Sequence, residues 1–152
     1  MAKIGYARVS STGQNLERQE ELLKNAGVDR VNISLDTLNE EKFREITRGG
    51  EMKKVLKGIE ESLRVGLHPV KVNVVVVRDF NSHELPSFME LARDNPLHVR
   101  FIELMPIGIS SDKRSEFVSI DEMKEILGLE DAKPIDIQGG GPANYVTSEG
   151  FK

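Results

Sequence analysis

The sequence predicts an α/β fold in which four βα units form a parallel sheet. Short β-branched segments alternate with longer segments of helical hydrophobic periodicity, and the connections between them are short. The run Val-Asn-Val-Val-Val-Val at residues 72–77 is apolar at nearly every position, as in a strand that is covered on both faces. A length of 152 residues leaves room for one core, so we expect a single α/β domain over residues 1–152.

The first predicted unit is a strand at residues 3–9, a polar turn at residues 10–13 and a helix from Leu16 to Ala26. Gly27 stands where a left-handed helix C-cap is expected. In the second unit a strand at residues 31–35 precedes a short helix, for which Asn39 is the predicted N-cap.

The third unit combines the strongest helix pattern with the most apolar strand. After the break at Gly49-Gly50, one apolar stripe runs along a helix that ends near Gly66, and it consists of Met52, Val55, Leu56, Ile59 and Leu63. The strand at residues 70–77 follows. Within it, Asn73 is an interior polar residue that needs a buried partner or a water molecule.

The fourth unit begins with a helix that has Pro86 in its first turn and ends at Asn95-Pro96. A strand is predicted at residues 99–104. The sequence Ser119-Ile120-Asp121-Glu122 predicts a capping box, which opens a helix through Ile126 that is closed by Gly128. Residues 131–152 are expected to form an irregular tail, with a possible short strand around residues 144–147.

Periodicity leaves two architectures open, half of a TIM-like barrel or a small open flavodoxin-like sheet, because both bury the same strand faces. Which of the two architectures the chain adopts affects how it could form oligomers. A half barrel leaves two unpaired sheet edges, so a homodimer through these open edges is a possible partner arrangement.

Composition excludes several classes of function. The chain contains no cysteine, which excludes disulfides, thiolate zinc sites and cysteine-ligated iron–sulfur clusters within these residues. The net charge of −4 disfavours a nucleic-acid partner. No apolar run could cross a membrane and no secretion signal is evident, so we expect a cytoplasmic protein. The three histidines, His68, His83 and His98, lack the spacing of a metal site, and surface positions are expected for them.

The first 27 residues resemble the start of the catalytic domain of the serine recombinases of the resolvase/invertase family. The resemblance rests on the sequences Ile-Gly-Tyr-Ala-Arg-Val-Ser-Ser at residues 4–11 and Gln-Asn-Leu-Glu-Arg-Gln at residues 14–19. It implies that Ser10 matches the family's nucleophile and Arg8 an active-site arginine. Because a phosphodiester attack needs more cations than these, we expect both to be vestigial and Ser10 to serve as a turn residue.

From about Gly27 onward, the sequence resembles the radical-SAM GTP cyclase family of molybdenum-cofactor biosynthesis. Five segments carry the resemblance, at residues 30–38, 46–50, 70–73, 100–108 and 139–143. It implies that residues 28–130 form a half barrel. It also implies that Ser34 and Met105 lie near S-adenosylmethionine and Lys71 near GTP, while Ser10 falls by spacing at a further nucleotide-contacting position. For Lys71, the alternative is a charged residue at a strand start that reaches solvent.

These observations lead to the prediction of a non-catalytic scaffold. We expect a chimeric or designed domain, built from fragments of two families, that is not an enzyme and holds neither cofactor nor metal. The alternative is residual weak binding of a nucleotide, phosphate or S-adenosylmethionine at the carboxyl ends of the strands.

Overall fold

The computed structural model describes residues 4–6, 25, 27–105, 115–136 and 143–147, with the backbone alone for residues 4–6. The strands are β1 (Ile4–Tyr6), β2 (Arg30–Ser34), β3 (Val70–Val76), β4 (Leu97–Glu103), β5 (Pro134–Ile135) and β6 (Tyr145–Val146). The helices are α1 (Glu40–Ile46), α2 (Met52–Arg64), α3 (Leu85–Asp94) and α4 (Ile120–Leu127), with a short 3-10 turn at Ser82–Glu84. The predicted helix at residues 16–26 lies outside the described residues, apart from Asn25.

The main sheet has four strands in the order β1-β2-β3-β4. The pairs β1/β2 and β2/β3 are parallel, with Tyr6 opposite Asn32 and Ser34 opposite Asn73. The α/β prediction is therefore confirmed. Strand order follows chain order, as it does along the wall of a barrel, whereas a flavodoxin-like sheet places its second strand outside its first. Of the two architectures left open by periodicity, the structure has that of a partial barrel.

The chain divides into two compact units, Met1–Val74 with Pro96–Val99, and Val75–Asn95 with Arg100–Lys152. The buried hydrophobic residues of the first unit come from β2 and the residue after it, the two helices α1 and α2, the turn after α2, β3 and the start of β4: Val31, Leu35, Phe43, Val55, Ile59, Leu67, Val70, Val72, Val74 and Leu97. The predicted stripe on α2 is only partly buried, since Val55 and Ile59 are buried while Met52, Leu56 and Leu63 are half-buried.

The helix ends in the first unit follow the local sequence. The Asn39 side chain accepts hydrogen bonds from the N–H groups of Glu41 and Lys42, which confirms it as the N-cap of α1. After α1, Thr47 Oγ1 accepts the N–H of Gly50 at 3.0 Å and donates to the Phe43 carbonyl. The Thr47 side chain thus stabilises the chain where it leaves α1 at Gly49-Gly50, and Gly49 has a φ of 103° there.

The second unit is built around the fully buried Phe88 of α3, which packs edge-to-face against Phe101 with ring centroids 6.4 Å apart. The turn after β3 is held by Asn81, whose amide is also fully buried. Its Nδ2 donates to the Val75 carbonyl at 2.8 Å, and its Oδ1 accepts the N–H of Val77 at 2.7 Å. Asn81 therefore fixes how the chain leaves the sheet at the carboxyl end of β3.

Helix α4 carries only half of the predicted capping box. Ser119 Oγ accepts the N–H of Glu122 at 3.2 Å, and Gly128 closes the helix with a left-handed φ of 63°. The Glu122 carboxylate, however, binds Arg78 instead of returning to the Ser119 backbone. An arginine presents two parallel donors and outcompetes a single backbone N–H for that carboxylate. Farther along, the possible strand at residues 144–147 is present as β6, paired antiparallel with β5.

Candidate functional site

Strands β2 and β3 divide the first unit's sheet into an apolar face and a polar face. Alternate residues of a strand point to opposite faces, and residues paired across parallel strands share a face. The register pairs Asn32 with Lys71 and Ser34 with Asn73. We call these four residues, together with Arg30 at the start of β2, the polar strand face. The opposite face carries Val31, Ile33, Val70, Val72 and Val74.

Lys71 is buried on the polar strand face, with 4% of its surface exposed. The expectation of a lysine that reaches solvent from a strand start is therefore wrong in this fold. Lysine is rarely buried because its ammonium group loses hydration. A buried ammonium group also interacts more strongly with an anion than an exposed one does, because the surrounding dielectric is lower.

The polar strand face holds two buried polar atoms without a hydrogen-bond partner among the described residues, Asn73 Oδ1 and Arg30 Nε. The Asn73 backbone carbonyl, by contrast, accepts the N–H of Leu35 at 3.0 Å. Ser34, directly opposite Asn73, is exposed at the end of β2. The need of Asn73 for a buried partner, predicted from sequence, is thus unmet by the described part of the protein itself.

The charge of Lys71, on the polar strand face, also affects His98. Burial, followed by the positive charges of Lys71 and His68, lowers the pKa of His98 from its ordinary value of 6.5. The rings of His68 and His98 meet edge-to-face with centroids 6.3 Å apart. The predicted surface position holds for His68 and His83, whereas His98 is half-buried. Within the described residues, no group of three potential ligands is placed to hold a metal ion.

Of the remaining predicted site residues, Met105 belongs to the other unit, and Ser10 and Arg8 are not described. Met105 follows β4 in the second unit and is 64% exposed. Ser10 and Arg8, predicted from the recombinase resemblance, lie outside the described residues. The structure thus places Ser34 and Lys71 on one face of one unit, while the predicted roles of all four ligand-binding residues stay predictions.

An ion pair in the second unit was missed by the sequence analysis. Arg78 Nη1 and Nη2 contact the two carboxylate oxygens of Glu122 at 2.5 and 2.7 Å, and Nη2 also donates to the Phe117 carbonyl at 2.8 Å. The hydrogen bond from Arg78 lowers the pKa of Glu122 below its ordinary value of 4.5 and raises the pKa of Arg78. Glu103, at the end of β4, accepts the N–H of Ile120 at 2.7 Å. The beginning of α4 is thereby attached to the ends of two strands.

Comparison with known proteins gives a family match over most of the chain. The model of the radical SAM superfamily matches residues 2–92. The chain belongs to the radical SAM superfamily.

Similar curated proteins include the GTP 3',8-cyclase of Alkaliphilus oremlandii, 46% identical over 90% of this chain and 42% of its own length. The GTP 3',8-cyclase of Heliobacterium modesticaldum is 46% identical over 99% of this chain and 47% of its own length. The GTP 3',8-cyclase of Moorella thermoacetica is 48% identical over 80% of the chain. The chain spans less than half the length of the first two relatives.

These matches correct the predicted function. The radical SAM match begins at residue 2 and continues through Gly27, where the chain was expected to change families. A relative named as an enzyme aligns with 99% of the chain. The prediction of a non-catalytic chimeric or designed scaffold is therefore wrong, and the chain is a radical SAM segment similar to part of a catalytic protein. The serine recombinase resemblance falls largely on residues outside the described part.

The radical SAM family implies two groups, S-adenosylmethionine and an iron–sulfur cluster, and they fit these residues differently. Cluster iron is bound by cysteine thiolates. These 152 residues contain no cysteine and so do not fit the cluster. The polar strand face does fit a polar organic ligand, because Asn73 Oδ1 is a buried acceptor without a donor among the described residues and Ser34 is exposed beside it.

No described helix is long and apolar enough to cross a membrane. The cytoplasmic location predicted from the sequence stays a prediction.

Proposed function

We propose that this chain forms the nucleotide-binding part of a radical SAM catalytic barrel that acts as a GTP 3',8-cyclase. The observation that carries the proposal is the buried Lys71 on the polar strand face, in a chain whose similar proteins are named for a reaction of GTP. A triphosphate has the opposite charge to this lysine. A contact between them in low-dielectric surroundings favours tight binding.

In this proposal Lys71 contacts GTP, and Ser34 and Met105 contribute to the binding of S-adenosylmethionine. Ser10, which falls by spacing at a nucleotide-contacting position, is a further nucleotide contact, and Arg8 has no catalytic role. S-adenosylmethionine, when reduced by an iron–sulfur cluster, supplies radical chemistry to the family. The thiolates for such a cluster come from protein outside these 152 residues, so this chain's own part is to bind and orient the nucleotide.

A titration of the purified chain with GTP tests the proposal. Lys71→Met removes the charge but keeps an apolar side chain of similar length. We expect GTP to bind about 10- to 100-fold more weakly to this variant, since a hydrogen bond to a charged group contributes about 1.5–3 kcal/mol. Lys53→Met is the matched control, because the Lys53 side chain is 81% exposed on α2. The proposal fails if the chain does not bind GTP at millimolar concentration, or if both variants bind it equally.

Two further features of the proposal concern partners. We expect no nucleic-acid partner, and we expect a homodimer through open sheet edges, for which β4 is one candidate because it pairs only with β3 in the described sheet. The mass of the chain in solution tests the dimer. A monomeric mass across the micromolar range would contradict it.

A further inference from the structure

A half-buried imidazole shares a sheet face with the buried Lys71. His98 is the second residue of β4, Lys71 is the second residue of β3, and the two strands are neighbours. The residues that precede them, Leu97 and Val70, are both buried in the first unit. Because alternate residues of a strand point to opposite faces, the side chains of His98 and Lys71 lie together on the other face.

The turn before β3 brings a second imidazole to His98. The rings of His68 and His98 are in edge-to-face contact, with centroids 6.3 Å apart. The backbone N–H of His68 donates to the Asp29 carbonyl at 2.8 Å, which holds His68 beside the start of β2. His68 is exposed and His98 is half-buried. The two rings therefore lead from the surface toward the sheet face that carries Lys71.

The charges near His98 are mainly positive. Besides the two histidines, the charged residues on or beside this face are Lys71 on β3, Arg30 and the exposed Asp29 at the start of β2, and Arg100, two positions along β4 and in the second unit. Burial, followed by the charges of Lys71 and His68, lowers the pKa of His98 from its ordinary value of 6.5. In the chain without a ligand, the ring is therefore mostly neutral at pH 7.

A bound polyphosphate reverses the sign of the charge beside this ring. In the proposed function the phosphates of GTP contact Lys71, and they carry more negative charge than one ammonium group can balance. An opposite charge nearby favours the charged form of an ionisable group. Protonation of His98, which is costly beside Lys71 alone, then becomes favourable.

We propose that His98 takes up a proton from solvent when a polyphosphate binds at Lys71, so that the chain binds the nucleotide more tightly as the pH falls below neutrality. This inference rests on the proposed function, which supplies the polyphosphate. The two effects are equal by linkage, because a ligand that favours the protonated ring is bound more tightly by the protonated chain. His98 is in this way a proton-dependent member of the binding site.

The test is titration calorimetry of the chain with GTP, in two buffers of different ionisation enthalpy at each pH. A phosphate monoester itself titrates near about pH 6, so the parent chain and His98→Gln are compared with the same ligand. Between about pH 7.5 and about pH 5.5, we expect the affinity for GTP to rise about tenfold more in the parent than in His98→Gln, the low end of the effect of an opposite charge on a neighbouring group. The parent should also take up more protons per GTP.

Two controls separate this effect from others. His83→Gln removes an exposed histidine of the second unit, and it should keep the pH dependence of the parent. Guanosine has no phosphates, so its binding should take up no proton at His98.

A proton NMR titration of the His98 ring gives a second readout that does not depend on how well His98→Gln folds. In the parent chain, saturating GTP should raise the pKa of His98. In Lys71→Met without a ligand, the pKa of His98 should also lie above that of the parent, because a neighbouring cation has been removed. Binding of GTP with the same pH dependence in the parent and in His98→Gln would overturn this inference and leave the proposed function standing. Absence of GTP binding at every pH would overturn both.

Discussion

Replacement of Asn81 by alanine should destabilise the second unit more than its small change in volume implies. The amide is fully buried and satisfies two backbone groups, the Val75 carbonyl and the Val77 N–H. Alanine removes the Asn81 partner from both of these partly buried hydrogen bonds.

The magnitude follows from the two bonds. Loss of a hydrogen-bond partner from a buried backbone group costs about 1–3 kcal/mol, and because both bonds here are only partly buried we expect a total of about 3 kcal/mol. With a urea dependence of about 2 kcal/mol per molar, the unfolding midpoint of Asn81→Ala should fall by about 1.5 M. The nearly isosteric Asn81→Asp should also be destabilised, because its second oxygen faces the Val75 carbonyl where Nδ2 donated.

Asn95→Ala provides the comparison within the same unit. Its Nδ2 donates a single hydrogen bond, to the Leu91 carbonyl at 3.1 Å, and the site is only partly buried. Its midpoint should fall by less than about 0.5 M urea. Circular dichroism, monitored through a urea titration of all variants at one pH, gives the three midpoints. If Asn81→Ala and Asn95→Ala shift the midpoint equally, the assigned role of the Asn81 amide is refuted.

Three further predictions concern titration and backbone packing. Arg78 lowers the folded-state pKa of Glu122, so the ion pair stabilises the fold above about pH 4.5. This contribution is lost as the pH falls through the lowered pKa. In a plot of the unfolding midpoint against pH, Glu122→Gln should therefore show a smaller loss of stability at acid pH. Burial lowers the pKa of His98 below 6.5, so the unfolded chain binds the proton more readily than the folded chain does. The free energy of unfolding should therefore fall as the pH drops below 6.5. In the same assay, His98→Gln should lack this loss. A Cβ on Gly50 would lie 2.4 Å from Thr47 Oγ1, so Gly50→Ala should lower the melting temperature. Addition of Thr47→Ala to this variant should restore part of the loss. An unchanged melting temperature of Gly50→Ala would contradict the geometry.

Local features of the fold could be predicted from the sequence because their causes lie within a few residues. Asn39 caps α1 through N–H groups two and three positions away, and Gly128 ends α4 by a left-handed turn of its own backbone. The parallel strands followed from the apolar run at residues 72–77. Strand order did not follow, since the hydrophobic pattern is identical in a barrel and an open sheet.

The candidate site could be predicted only in part. Resemblance selected Ser34 and Lys71, but the burial of Lys71 depends on what surrounds β3 in three dimensions. The ion pair between Arg78 and Glu122 spans 44 positions, and no spacing rule links residues so far apart. The chimeric interpretation failed for a related reason: a 27-residue likeness covers no more than one predicted βα unit, and unrelated parallel-sheet proteins share such units.

The separation of Lys71 and Asn73 from Val70, Val72 and Val74 onto opposite faces of β3 constrains how this segment can change length. Loss or gain of a single residue inside the strand would send Lys71 and Asn73 into the valine layer and turn valines toward the polar strand face. Changes of length are therefore confined to the connections, such as the Gly49-Gly50 break, where no side-chain alternation has to be preserved. In related chains of differing length, gaps should cluster in those connections, and β3 should remain uninterrupted.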